Sequence, residues 1–340
     1  MKRMVLSLLG AVLFMQGMAQ QKPHYTQYIL NQYIINPALT GIENYVDVKL
    51  SHRQQWVGLQ DAPVTTYVTI HGALNKQDYR TTATSFQVPG ENPRGTNYWE
   101  QYEAASPHHG LGLQVINDRT GPLNNFSAYA TYAYHLGISA RTSLAAGFGL
   151  GIRKIGLNTS RLDFGSVSPV DPVISSSGEL NSIKPDLNAG LYLYSSDYFI
   201  GLSAQQIIPQ TISFSNNTVV KEEGRTVPHL FATAGYRFLV GEQFNLIPSV
   251  MVKYTQPVPV QVEVNAKLQY LDRAWIGASY RQNDGLAAMV GLNIGNAVNV
   301  GYSYDYTTSR LNTVSKGTHE IVLGFLLGNK YDDSCPRNVW

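Results

Sequence analysis

The 340-residue chain carries 22 Tyr against 11 Phe, 30 Gly and only 14% charged residues, too few charges for an ordinary soluble surface. Its formal net charge is +2, and losing Lys2 and Arg3 with the leader described below would bring its 25 basic residues to 23, equal to its 23 acidic ones. A neutral mature chain argues against a nucleic-acid partner, which would need a basic face, and the single cysteine, Cys335, excludes an internal disulfide framework and reads as a free surface thiol.

In chain order, Lys2 and Arg3 precede an apolar run from Met4 to Met15, and Gly17-Met18-Ala19 then supplies small residues at the positions a signal peptidase reads. Residues 1–19 are therefore expected to be a signal peptide, cleaved to leave Gln20. As a membrane anchor the run is too short, since a spanning helix needs roughly 20 apolar residues, and no cysteine follows it to carry a lipid. Residues 20–44 come next as a periplasmic or plug segment. Within it, Asn36-Pro-Ala-Leu-Thr-Gly41 reads as a turn, and Tyr25, Tyr28 and Tyr33 call for burial against or in the periplasmic mouth of whatever follows.

From about Tyr45 onward the period is two. Val260, Val262, Val264, Ala266, Leu268 and Tyr270 share one face, with Gln261, Glu263, Asn265, Lys267 and Gln269 on the other. Leu144–Arg153 and Val298–Tyr306 divide the same way. Such runs of about ten residues cross a bilayer as tilted strands, whereas the strands of a β-sandwich average nearer five or six. The prediction is a closed antiparallel transmembrane β-barrel of the outer-membrane type over residues 45–328. It has about 14 strands, the first at 46–57 and the last at 317–328, and an even number fits single-chain bacterial barrels. Loops near 155–185 and 207–227 are expected outside, the long stretch Asn75–His109 and a tail at 329–340 on the periplasmic side. Tyr132, Tyr134, Tyr254, Tyr302, Tyr304 and Tyr306 are placed to form interfacial girdles.

The charged residues Lys49, Arg53, Arg153, Arg237, Lys253, Glu263, Lys267, Arg281, Asp305 and Glu320 all fall in the phase opposite the lipid-facing side chains, so they line a lumen. Closure adds a sharper expectation. If the first and last strands pair antiparallel, leaving no edge, Arg53 meets Glu320, and Asp305 on the neighbouring strand can share its charge.

Catalytic arrangements are hard to find. Gly201-Leu-Ser-Ala and Gly277-Ala-Ser-Tyr lie in mid-strand and lack the closing glycine of a nucleophile elbow. Gly147-Phe-Gly-Leu-Gly151 has the wrong spacing for a dinucleotide loop and is better explained by close strand packing. His108-His109 read as flexible loop residues more readily than as metal ligands. No cofactor, metal or catalytic residue is expected. The function classes left are a partner-binding barrel, a solute-conducting porin as the alternative, and an outer-membrane hydrolase as a third.

The edges of the barrel carry more identity than its strands. His24-Tyr-Thr-Gln27-Tyr28, Asn36-Pro37-Ala-Leu-Thr-Gly41, Arg53-Gln-Gln55-Trp56, Tyr302-Ser-Tyr-Asp305 and Gly317-Thr-His319-Glu320-Ile321 follow one another in order. At these separations they resemble the PorP/SprF family of type IX secretion system outer-membrane proteins of Bacteroidetes, over nearly the whole mature chain. The chain departs by having Thr318 where a serine is usual, an additional Gln in the Arg-x-Gln-Trp element, and an insertion at 75–108. The resemblance implies a non-enzymatic component of protein secretion in the outer membrane. Its implied partners are type IX machinery subunits, the C-terminal domain of a large secreted surface adhesin, including adhesins used in gliding, and outer-membrane lipid. The motif residues numbered above are then its partner-binding or structural positions.

Overall fold

An extended chain points successive side chains to opposite faces, so a sequence with apolar and polar residues in alternation can satisfy lipid and a wet interior with one sheet, provided the sheet has no edge. The computed structural model describes residues 24–76, 95, 96, 100, 102–161, 179–212, 224–295 and 297–329. The expected signal peptide and its cleavage site, most of the 75–108 insertion, Cys335 and all but the first residue of the 329–340 tail lie outside the described residues.

The strands are β1 (Val46–Gln54), β2 (Val64–Leu74), β3 (His108–Thr120), β4 (Leu123–Ser139), β5 (Thr142–Asn158), β6 (Glu179–Ser195) and β7 (Tyr198–Gln205) in the first half. The second half holds β8 (His229–Tyr236), β9 (Phe244–Thr255), β10 (Val258–Tyr270), β11 (Ala274–Arg281), β12 (Gly285–Ile294), β13 (Val298–Thr307) and β14 (Thr318–Leu327). A short run, Phe238–Val240, continues past β8 alongside β9. Thr211–Ile212 and Gly224–Arg225 make a separate two-stranded hairpin. Neighbours in sequence pair antiparallel, β8 pairs with β9, and β1 pairs with β14. The sheet is thus a closed 14-strand antiparallel barrel.

Burial follows the alternation. Along β12 buried and exposed residues alternate from Gly285 to Leu292. Leu113, Leu150, Leu202, Ile276 and Val290 on the outer face are exposed, as side chains that meet hydrocarbon should be. Tyr254, Tyr280 and Tyr306 ring one end of that face, and Tyr134, Tyr236 and Tyr270 ring the other, two belts at headgroup level. The end where β1 begins, here the turn end, joins most of its strands through connections as tight as 140–141 and 196–197. The opposite, loop end carries 55–63, 206–228 and 308–317.

Two readings of the sequence need correction. His108 and His109 are not loop residues: they open β3, His108 buried in the lumen and His109 outside, with its Nδ1 2.7 Å from the Tyr132 hydroxyl. The predicted loop at 155–185 also loses both ends to strand, because β4, β5 and β6 each run for 17 residues. Their upper parts rise beyond the rim, where there is no lipid to demand an apolar face, so the alternation fades while the ladder continues.

The lumen segment and the closing seam as candidate functional site

The lumen of this barrel is occupied by the chain's own residues. Thr26–Ile29, Gln32–Ile34 and Pro37–Leu39 form three short 3-10 turns, and every residue from Asn31 to Glu43 is buried. Asn36 caps the last turn by accepting from the Ala38 N–H at 2.9 Å, with Pro37 as the first residue of the turn, where its missing N–H costs nothing. Gly41, at φ +77°, ends it in the left-handed region. The segment runs the length of the barrel, from Thr26 at the loop end to Gly41 at the turn end, and the chain then doubles back into β1.

At the loop end the contacts are charged. Arg53 on β1 stands across the seam from Glu320 on β14, the register that closure predicts. Its guanidinium donates to Glu320 Oε2 at 2.9 Å, to Asp305 Oδ2 on β13 at 2.8 Å and to Thr26 Oγ1 at 2.8 Å. The Thr26 hydroxyl donates onward to Asp305 Oδ2 at 2.6 Å. The backbone N–H groups of Thr26 and Gln27 donate to Glu320 Oε2 at 2.9 and 3.3 Å. Beside this cluster Arg281 pairs with Glu263 at 3.0 Å and Asp284 at 2.7 Å, and reaches Asp305 at 3.9 Å. Arg53 and Glu320 are 2% and 0% exposed, dry enough that each charge depends on the others.

At the turn end the fit is one of shape. A Cβ on Gly110 would strike the Thr40 carbonyl, one on Gly147 the backbone of Pro37 and Ala38, and one on Gly190 the Asn36 amide. The wall comes this close only because these lumen positions lack side chains. Polar groups then align on the backbone. His135 Nε2 donates to Thr40 O at 2.8 Å and His108 Nε2 lies 3.2 Å from Gly41 O, while His71 Nδ1 accepts from the Gly41 N–H at 3.2 Å. His108 and His135 stack with centroids 4.5 Å apart. Asn36 donates to Leu191 O at 3.0 Å, and Ser203 to Ile35 O at 2.7 Å. Between the segment and the opposite wall remains a cavity of about 70 Å³ lined by Leu30, Asn31, Asp47, Lys267 and Asn299, room for a few waters and far below the volume of a solute site.

The motif residues thus separate by position. Gln27, Arg53, Asp305 and Glu320 meet in the loop-end cluster. Gln55, Trp56 and Gly317 cover its rim: the Trp56 N–H donates to Thr318 Oγ1 at 3.0 Å, and the Val57 N–H to Gly317 O at 2.8 Å. Tyr28 lies just below, its hydroxyl bonded to the Asn265 amide. Asn36, Pro37 and Gly41 sit at the far end of the lumen. Tyr302 and His319 are on the outer face, bonded to each other at 2.7 Å, away from the rest. Sequence reasoning missed the Thr26 hydroxyl, the Arg281–Glu263 pairing and the three lumen histidines. The histidines share the polar phase of their strands, which was the available signal.

A sequence profile described as "Type IX secretion system membrane protein PorP/SprF" matches residues 17–325. No curated protein matches. Among solved structures, the CymD monoaromatic hydrocarbon channel is 11% identical with a TM-score of 0.47, over 88% of this chain and 91% of that one. Omp33 of Acinetobacter baumannii is 9% identical with a TM-score of 0.44, over 85% and 100%. A FadL homologue from Pseudomonas aeruginosa is 9% identical with a TM-score of 0.43, over 89% and 94%.

Proposed function

Because the chain belongs to the PorP/SprF family of type IX secretion system membrane proteins, we propose that it serves type IX export by binding other proteins at the ends of a barrel that is itself closed. The partners on this reading are machinery subunits on the periplasmic side and the C-terminal domain of a large secreted surface adhesin, held for export or surface retention, in gliding among other settings. The observation that carries the reading is the filled lumen. A segment buried from Asn31 to Glu43, clamped by Arg53, Asp305 and Glu320 at one end and seated on glycines at the other, supports a scaffold over a solute-conducting porin. The protein is non-enzymatic on this reading.

Residues 1–19 are then a signal peptide delivering the protein to a Bacteroidetes outer membrane. Residues 20–44 are the plug segment, with Thr26–Glu43 in the lumen, 45–328 form the barrel, and 329–340 make a periplasmic tail. Partner contacts fall on the loops and on the 75–108 insertion, away from the lipid face. Affinity capture of the tagged protein from solubilised outer membrane tests this directly. The expected result is co-purification of machinery subunits or a large adhesin, lost when the insertion or the 308–317 loop is exchanged. Capture of no envelope protein, together with large single-channel conductance from the intact barrel, would overturn the reading in favour of the porin.

A further inference from the structure

The projecting wall has an unfinished edge. β6 pairs with β5 along its whole length, Glu179 to Ser195, but with β7 only from Ala189 to Tyr194. Just above, the Leu187 carbonyl accepts from the Ile207 N–H at 3.0 Å, and the Pro185 carbonyl accepts from the Gln210 side-chain amide. Backbone groups of alternate residues in an antiparallel strand face the same neighbour, so those of Ile183 and Asn181 point the same way as those of Leu187. Among the described residues nothing pairs with them there. Pro185 fits this geometry, since the N–H it lacks would have pointed at the same edge. A strand edge of this kind is a template for another chain.

A second observation indicates which chain. Arg153 on β5 and Lys184 on β6 stand directly opposite each other, on the lumen-side face of the wall. Like charges so placed destabilise a sheet. Neither makes an ion pair within 4 Å of a described residue; among those residues Arg153 bonds Asn125 Oδ1 at 3.5 Å, and the carboxylates of Asp186 and Asp118 lie near enough to favour its charge, which leaves Lys184 as the cation a ligand can reach. Lys184 is exposed, and Ile183 on the other face is 61% exposed.

We propose that the β6 edge at Asn181–Lys184 is a docking site for an extended, acidic segment of a partner polypeptide. The segment adds as a strand: its backbone pairs with Asn181 and Ile183, and its carboxylate opposite Lys184 pairs with that ammonium. Its alternate apolar side chains continue the face of Ile183. The proposal deepens the partner-binding reading and rests on it only for the source of the segment.

The test uses the full-length barrel in detergent and a short fluorescein-labelled peptide of alternating valine and glutamate, with a valine–lysine peptide of equal length as control. The valine–glutamate peptide should bind, and more weakly as salt rises. Ile183→Pro removes one edge N–H without touching the β5 ladder and should weaken binding at least about tenfold. Lys184→Glu should weaken the acidic peptide by a similar factor and admit the lysine peptide. Heat-modifiable gel migration shows that each variant still forms a barrel, and Lys184→Glu alone suffices if Ile183→Pro does not. Equal binding of both peptides, or no change in either folded variant, would overturn the proposal. So would protection of the Asn181 and Ile183 amides from exchange without peptide, or disulfide linkage of two copies through Asn181→Cys in a Cys335→Ser background. None of these outcomes bears on capture of envelope partners through the other loops, so the two readings fail separately.

Discussion

The two ends of the lumen segment are held by different physics. At Thr26 the grip is electrostatic: one guanidinium and two carboxylates from three strands converge on a hydroxyl and two backbone N–H groups. At Asn36–Gly41 it is steric, a chain laid against glycines with histidines on its carbonyls. Failure should differ accordingly. An electrostatic anchor fails when a partner is deleted, because the remaining charges stay buried without compensation. A steric seat fails when something is added. The same segment therefore tolerates opposite kinds of change at its two ends.

The largest effect should come from Arg53→Ala, which leaves Asp305 and Glu320 facing each other in a dry seam. We expect a loss of about 3–5 kcal/mol, read as a lower urea midpoint of the detergent-solubilised barrel. Next, Gly110→Val should cost about 1–3 kcal/mol by overpacking against Thr40. It should also raise single-channel conductance, since the seat is displaced while the barrel remains; conductance unchanged from wild type would mean the wall yields instead. Thr26→Val keeps the shape and removes the hydroxyl that bridges Arg53 and Asp305, for about 1–2 kcal/mol. Combined with Gly110→Val its effect should add to within about 0.5 kcal/mol, the sign that the two ends act independently. The smallest effect belongs to His319→Ala on the outer face, within about 0.5 kcal/mol. A larger loss there would mean that the seam is braced from the lipid side as well.

How much of this was readable in advance depends on period. Arg53, Asp305 and Glu320 could be brought together on paper because strand phase gives the face and closure gives the register, and both survive in the sequence as alternation. Thr26 could not, since a run of 3-10 turns has no period to project and its partner Glu320 lies 294 positions away. The glycines were visible in Gly147-Phe-Gly-Leu-Gly151 and suggested close packing. That the neighbour at Gly147 is Pro37–Ala38, not another strand, is a fact of tertiary structure. The upper ends of β5 and β6, Ile155–Asn158 and Glu179–Pro185, were hidden for a third reason: above the lipid belt a strand no longer advertises itself by having one greasy face.

The threading of the segment also constrains how the molecule is put together. Contacts between Thr26 and the last two strands cannot form until nearly the whole chain is in place, and closing so long a loop is slow. The segment lies inside the cylinder from Thr26 to Gly41, and Arg53, on the strand that closes the wall, bonds Thr26 and Glu320 alike. Sealing of the barrel wall and anchoring of its contents draw, in this chain, on one guanidinium.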